Sequence, residues 1–172
     1  MRIGLSTLTI FMATFSAIGT HAAPLPGGAG SLTENYQDWV VACQAQNNAT
    51  ACVMRQVQSN SQTGQTILTA EFRAVDGDAL EGALLLPFGL VLSQGVAVKI
   101  DETEAWPLSF STCLPQGCLA LISFDASRIA SLKAGTALNL TVSAISPLQP
   151  IAFKISLKGF TNALGRIAEL SK

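Results

Sequence analysis

Histidine is almost missing from this chain of 172 residues: there is one, His21, and it lies in the amino-terminal segment expected to be removed on export. A chain left without histidine cannot build a Ser-His-Asp or Cys-His catalytic set as usually constructed, a histidine-ligated zinc site or a histidine pH switch. Charge is scarce too, at 12% of residues. The basic residues are scattered and lack interleaved aromatics, which argues against nucleic acid as a partner. Beyond the amino terminus no apolar run reaches membrane-spanning length, since the longest, ALLLPFGLVL, is broken by Pro87 and Gly89. The lack of an internal repeat argues against a solenoid or propeller.

What the amino terminus does contain is an export address. Met1 and Arg2 form a short positive start, residues 3–18 are free of charge and mostly apolar, and THAAP supplies the small residues that suit signal peptidase. Residues 1–22 therefore read as a signal peptide cleaved after Ala22, which places the product in the periplasm or outside the cell with no transmembrane segment. Residues 23–33, opening APLPGGAGS, read as a flexible leader, and 34–172 as one domain. About 150 residues suffice for one sizeable core and not for two. Once Arg2 is gone, nine basic and eleven acidic residues remain. They are unevenly spread, with 3 basic and 10 acidic residues in 23–127 against 6 basic and 1 acidic in 128–172. Strands from the two parts interleaved in one fold would neutralise that asymmetry.

Patterning points to a mainly β domain. YQDWVVACQ, CVMRQVQS and TILTAEFRA are expected to form a three-stranded meander, with Leu68, Ala70 and Phe72 alternating against polar neighbours. CLALISF, TALNLTVSAI and IAFKISL are of strand length as well. DASRIASLKAG predicts a short helix with an Asp N-cap and a Gly suited to the left-handed C′ position, and the tail GFTNALGRIAEL places Phe160, Ala163, Leu164, Ile167 and Leu170 on one helical face. The expected fold is a single-domain antiparallel β-sandwich or partly open barrel with a short helix and a C-terminal helix.

The four cysteines, Cys43, Cys52, Cys113 and Cys118, permit three pairings in an oxidising compartment. In CLPQGC, Pro115 and Gly117 carry turn chemistry that lets the flanking cysteines face each other across a hairpin, and Cys43 and Cys52 sit at facing ends of two expected strands. Local pairs, 43 with 52 and 113 with 118, are therefore expected. A redox-active pair usually has the shorter Cys-X-X-Cys spacing and a nearby cation, and these spacings are not those of a zinc ribbon. A thiol-disulfide helper is thus disfavoured.

Carboxylates leave one catalytic alternative. Asp101, Glu102 and Glu104 could serve a hydrolase, because glycosidases need only two placed carboxyl groups, although so short a cluster more often marks a solvated loop. Asp76, Asp78 and Glu81 lack the remaining oxygen ligands of an EF-hand loop. Trp39 and Trp106 are large candidates for core anchors, and an exposed Trp106 beside DETE would offer a face to a ligand or cation.

Four phrases, YQDWVVAC, LPFGLVLSQGVAVKID, FSTCLPQGC and SLKGFTNAL, follow the order of the signature segments of the invasion-associated locus B family, which the chain resembles over nearly all of its length after residue 22. It departs from the family at Gln37, where Gly often precedes the Asp-Trp, and at Ser93, where Pro is common. The resemblance implies an exported bacterial protein, periplasmic or envelope-associated, with no known catalytic activity and, in pathogenic members, a link to host-cell entry. The expected function is a noncatalytic envelope binding module without cofactor or metal, whose partner is an envelope or host-surface protein or glycan.

Overall fold

The computed structural model describes residues 25–46, 49–75 and 79–171. The signal-peptide expectation and the carboxylates of Asp76 and Asp78 lie outside the described residues. Strands β1 (Ser31–Tyr36), β2 (Trp39–Gln46), β3 (Ala49–Ser59), β4 (Thr66–Val75) and β5 (Ala79–Leu86) lead to β6 (Val96–Ile100), β7 (Trp106–Leu108), β8 (Phe110–Leu114) and β9 (Gly117–Phe124). Helix α1 (Ala126–Ala134), strands β10 (Ala137–Ala144) and β11 (Gln149–Ser156) and helix α2 (Phe160–Leu170) complete the chain. One antiparallel sheet has seven strands in the order β1-β2-β3-β4-β5-β9-β8, and the other has four in the order β11-β10-β6-β7. The molecule is a β-sandwich of two open sheets, and the strands do not close into a barrel.

Alternation explains the layers. Trp39, Val41 and Cys43 of β2, Cys52 and Met54 of β3, Leu68, Ala70 and Phe72 of β4, and Leu138, Leu140 and Val142 of β10 are all buried, while the residues between them are less so. At the centre Phe72 lies opposite Gly82 in the β4–β5 ladder. A Cβ on Gly82 would stand 2.1 Å from a Phe72 ring carbon, so the missing side chain is the space the ring occupies. From there an aromatic line runs in both directions. Trp39 meets Phe72 at 5.4 Å and Phe160 at 5.6 Å, and Phe124 meets Phe72 at 5.6 Å and Trp106 at 6.4 Å between ring centroids.

The structure differs from the expected 23–33 leader. Leu25 is 1% exposed and belongs to the core, and Ser31–Tyr36 pairs with β2 as an edge strand. The Pro- and Gly-rich composition of this stretch hides an ordered segment whose partners lie elsewhere in the chain. Glu34 of β1 explains part of that order, for Arg166 of α2 donates to both its carboxylate oxygens, at 2.8 and 2.9 Å. This pair also joins the acidic first part of the chain to its basic end.

One buried amide ties the two sheets. Gln56 of β3 is 7% exposed; its Nε2 donates to the Ser156 carbonyl at 3.0 Å and its Oε1 accepts the Ser156 N–H at 3.1 Å. The Trp39 indole N–H donates to the same carbonyl at 3.0 Å. Helix α1 starts as expected, with the Asp125 side chain accepting the Arg128 N–H at 2.8 Å. Its end differs: Gly135 has φ −82°, outside the left-handed region. A Cβ there would come within 2.9 Å of an Asp101 carboxylate oxygen, so glycine serves close approach.

Replacing Gln56→Leu should leave the Ser156 N–H unpaired and destabilise the chain by about 1–3 kcal/mol, read as a lower urea midpoint. A midpoint equal to wild type would show that the amide pair contributes nothing net. The hydrogen bonds from Arg166, then from the Tyr36 hydroxyl, hold the Glu34 carboxyl below its ordinary pKa of 4.5. A lowered folded pKa means stabilisation that is complete above the ordinary value and lost as pH falls through the depressed one. Glu34→Gln should therefore lower the melting temperature at neutral pH and flatten its fall below about pH 4.5. An acid profile parallel to wild type would refute the assignment.

Candidate functional site

The four cysteines form two disulfides, and each joins residues directly opposite in a hairpin: Cys43 of β2 faces Cys52 of β3, and Cys113 of β8 faces Cys118 of β9. Their Cα atoms are 4.1 and 3.9 Å apart, respectively. The second hairpin turns through Pro115 and Gln116 alone, because Leu114 already pairs with Gly117. Gly117 has φ 150°, and a Cβ on it would stand 2.3 Å from the Leu86 carbonyl oxygen. Cys43, Cys52 and Cys118 are buried.

The three carboxylates of the DETE stretch do not converge on one another. Asp101, with φ 48°, accepts from the Thr136 hydroxyl at 2.5 Å, the Thr136 N–H at 3.0 Å and the Ala137 N–H at 2.9 Å. The Thr136 hydroxyl, then the backbone N–H of Thr136, hold its carboxyl below the ordinary value. Asp101 thus clamps the loop that leaves α1 onto the end of β6. Glu102 is turned outward to Lys99 at 2.8 Å. Trp106 is half-buried on Phe124, and its ring lies 4.8 Å from the Arg128 guanidinium carbon, so a cation of the same chain occupies the face expected to meet an external one. Among the described residues, no group of three or more Asp, Glu, His or Cys side chains is placed to hold a metal ion. No described helix is long and apolar enough to cross a membrane.

Two concavities stand out among the described residues. One, of about 460 Å³, lies on the outer face of the larger sheet, beside Val53, Ala83 and Leu121 and the Arg73–Glu81 ion pair at 2.7 Å. The other, of about 670 Å³, runs between α1 and α2 over the β4–β5 hairpin and is lined by Ala74, Ala79, Ile129 and Leu164, with Lys133 beside them. The first lining is mixed, with Glu71, Glu81, Arg73 and Ser123 among its residues, and the second is mainly apolar beside Lys133 and Thr161.

The sequence profile of the invasion associated locus B (IalB) proteins matches residues 39–168. The chain belongs to the invasion-associated locus B family. Among curated relatives it is similar to an invasion protein B homologue of Brucella abortus (strain 2308), at 58% identity over 165 residues covering 96% of this chain and 95% of that one. Invasion protein B of Bartonella bacilliformis is 35% identical over 161 residues, covering 91% and 86% of the two chains. The crystal structure of invasion associated protein B from Bartonella henselae matches with a TM-score of 0.76 at 31% identity, over 81% of this chain and 96% of that one.

Gln37, where the family often has Gly, holds φ 55° in the turn between β1 and β2, a left-handed conformation that glycine adopts without steric penalty. Ser93 sits in the short 3-10 turn Leu92–Gln94. Sequence reasoning about this IalB-family chain missed Arg128 as the partner of Trp106. The signal was faint, because the helix phase that turns Arg128 toward β7 cannot be read without knowing where α1 docks.

Cys113→Ser with Cys118→Ser should lower thermal stability by about 2 kcal/mol on the loop-entropy estimate for so short a loop. Nonreducing peptide maps of the native chain should return two local crosslinks. A fragment joining the Cys43 region to the Cys113 region would overturn these pairings.

Proposed function

We propose that this IalB-family chain is an exported, noncatalytic binding module of the bacterial envelope whose partner is an envelope or host-surface protein or glycan. The observation that carries this reading is the employment of its chemistry-bearing side chains. Asp101 is held by Thr136 and Ala137, all four cysteines are in disulfides, and Trp106 lies beside Arg128. Of the groups that the sequence left open for catalysis or ligand capture, these are engaged within the fold, while Glu102 and Glu104 stay exposed at the surface. The signal-like residues 1–22 and the crosslinks favour an oxidising compartment. Relatives named invasion protein B favour a role at the boundary between a bacterium and its host.

The test uses the chain beginning at Ala23, titrated onto envelope fractions and onto host-cell surfaces. Saturable binding to at least one is expected, and its retention in Glu102→Gln with Glu104→Gln would separate binding from carboxylate chemistry. Asp101 is left intact because its replacement would disturb the loop after α1. Absence of saturable binding to both surfaces would defeat the proposal, as would hydrolysis of an envelope glycan that disappears in the double variant.

A further inference from the structure

The residues of segments 56–70, 82–98, 105–124 and 134–153 include no Asp, Glu, Lys, Arg or His. The topology brings a connection from each of the four to one end of the sandwich. In the larger sheet, Ser59 pairs with Thr66, Thr69 with Leu85, and Leu86 with Cys118, so the β3–β4 loop (60–65), the start of the β5–β6 loop (87–95) and the β8–β9 turn (115–116) share that end. The smaller sheet joins them: Leu90 bridges to Ala144, the Ile145 N–H donates to the Gly89 carbonyl at 2.8 Å and the Val91 N–H to the Ser143 carbonyl at 2.9 Å, which sets the β10–β11 turn (145–148) beside the β5–β6 loop. This end also carries exposed apolar side chains: Leu148 at 71%, Phe88 and Ile145 each at 59%, with Leu92 and Leu114, the last residue of β8, over two-fifths exposed. The acidic stretch 101–104 and helix α1 lie at the opposite end, beyond Ile100 and Phe124.

The β1–β2 turn with Asp38 lies at the same end of the larger sheet, at the β1 edge. We infer that the four uncharged loops form a lipid-attachment face, by which the chain rests on the surface of a bilayer with Phe88, Ile145 and Leu148 inserted among the lipids. The occupant follows from shape and chemistry. Phe88 stands on the β5–β6 loop and Ile145 and Leu148 on the β10–β11 turn bonded beside it, each more than half exposed, whereas the concavities described above are lined by other residues, so a rigid partner would need matching hollows and a fluid bilayer would not. Protein interfaces carry a polar rim and are only about as apolar as the rest of a surface. Insertion into lipid penalises every charge it carries down, and no charge lies in these four segments. Asn60, Gln62 and Thr63 supply uncharged polar groups at headgroup depth. Attachment by apolar contact alone is indifferent to anionic lipid and to salt.

The inference deepens the envelope reading and rests on it, but pure lipid separates the two. The chain beginning at Ala23 is floated with vesicles of phosphatidylcholine and of phosphatidylethanolamine mixed with phosphatidylglycerol, at low and high salt. Co-flotation with both at both salts is expected. Phe88→Ser with Leu148→Ser should weaken it by at least about tenfold, given the burial each side chain would lose. Leu121→Ser, on the outer face of the larger sheet, should leave it unchanged. All three side chains are more than half exposed, so the melting temperatures of these variants should match wild type; if the double variant fails to fold, Ile145→Ser replaces it. No flotation, flotation unaltered by the loop variants, or flotation confined to anionic vesicles and abolished by salt would each overturn the inference. So would dimerisation lost in the loop variants without vesicle binding, which would give the face to a second copy. Envelope-fraction binding without vesicle binding would preserve the envelope proposal and reject lipid as its partner.

Discussion

The architecture depends on one polar contact at the core boundary, the pairing of the Gln56 amide with the backbone of Ser156. Two open sheets leave edge strands whose N–H and C=O groups need partners wherever water is excluded. β11 is the edge of the smaller sheet, and its last residue faces the larger sheet where the sandwich closes. There Gln56 supplies a donor and an acceptor in the arrangement a neighbouring strand would offer, and the Trp39 indole adds a second donor to the Ser156 carbonyl. A nearly buried side chain thus extends hydrogen bonding across a gap that no strand fills. Gln58 repeats the device one step outward, donating to the Lys154 carbonyl at 2.7 Å.

Everything carboxyl-terminal to that contact follows from where it holds β11. Leu157 and Gly159 turn the chain directly into α2, and Gly159 takes φ 82° with the Tyr36 carbonyl so close that a Cβ would stand 2.0 Å from it. Phe160 then lands against Trp39, and Arg166 reaches Glu34 of β1. The edge strand β1 of the larger sheet is therefore fixed by the last helix of the chain, through charge and packing rather than through a second strand neighbour.

Much of this was legible locally. Period-two alternation located β2, β3 and β4, the Asp125 cap located the start of α1, and the stripe from Phe160 to Ile167 gave the buried face of α2. The failures share a cause: they concern residues whose partners are remote in sequence. Leu25 and β1 lay hidden in a Pro- and Gly-rich stretch because composition records local flexibility and not a pairing with β2. Gly135 looked like a left-handed helix stop, although the constraint comes from Asp101, 34 positions earlier. Parity could have flagged Gln56, which shares its inward phase with Cys52 and Met54, but its partner lies 100 residues on. The uncharged segments could be counted from the sequence, while their convergence at one end needed the ladder registers.

The fold divides its labour between two ends. At one, Asp101, Thr136, Asp125 and Arg128 form polar contacts that anchor α1 and the loops beside it, and the aromatic line finishes there at Trp106. At the other, the connections 60–65, 87–95, 115–116 and 145–148 carry no ionisable side chain; their geometry rests on glycines at positive φ, the Leu90 bridge and the Cys113–Cys118 crosslink beside a two-residue turn. Backbone devices can hold loops in shape without using their outward side chains, so those side chains are free of any part in stability. Apolar groups in that position raise the hazard of aggregation. Their presence on loops braced in this way is therefore a cost to solubility that the folded core does not require, and contact with an apolar medium would offset it.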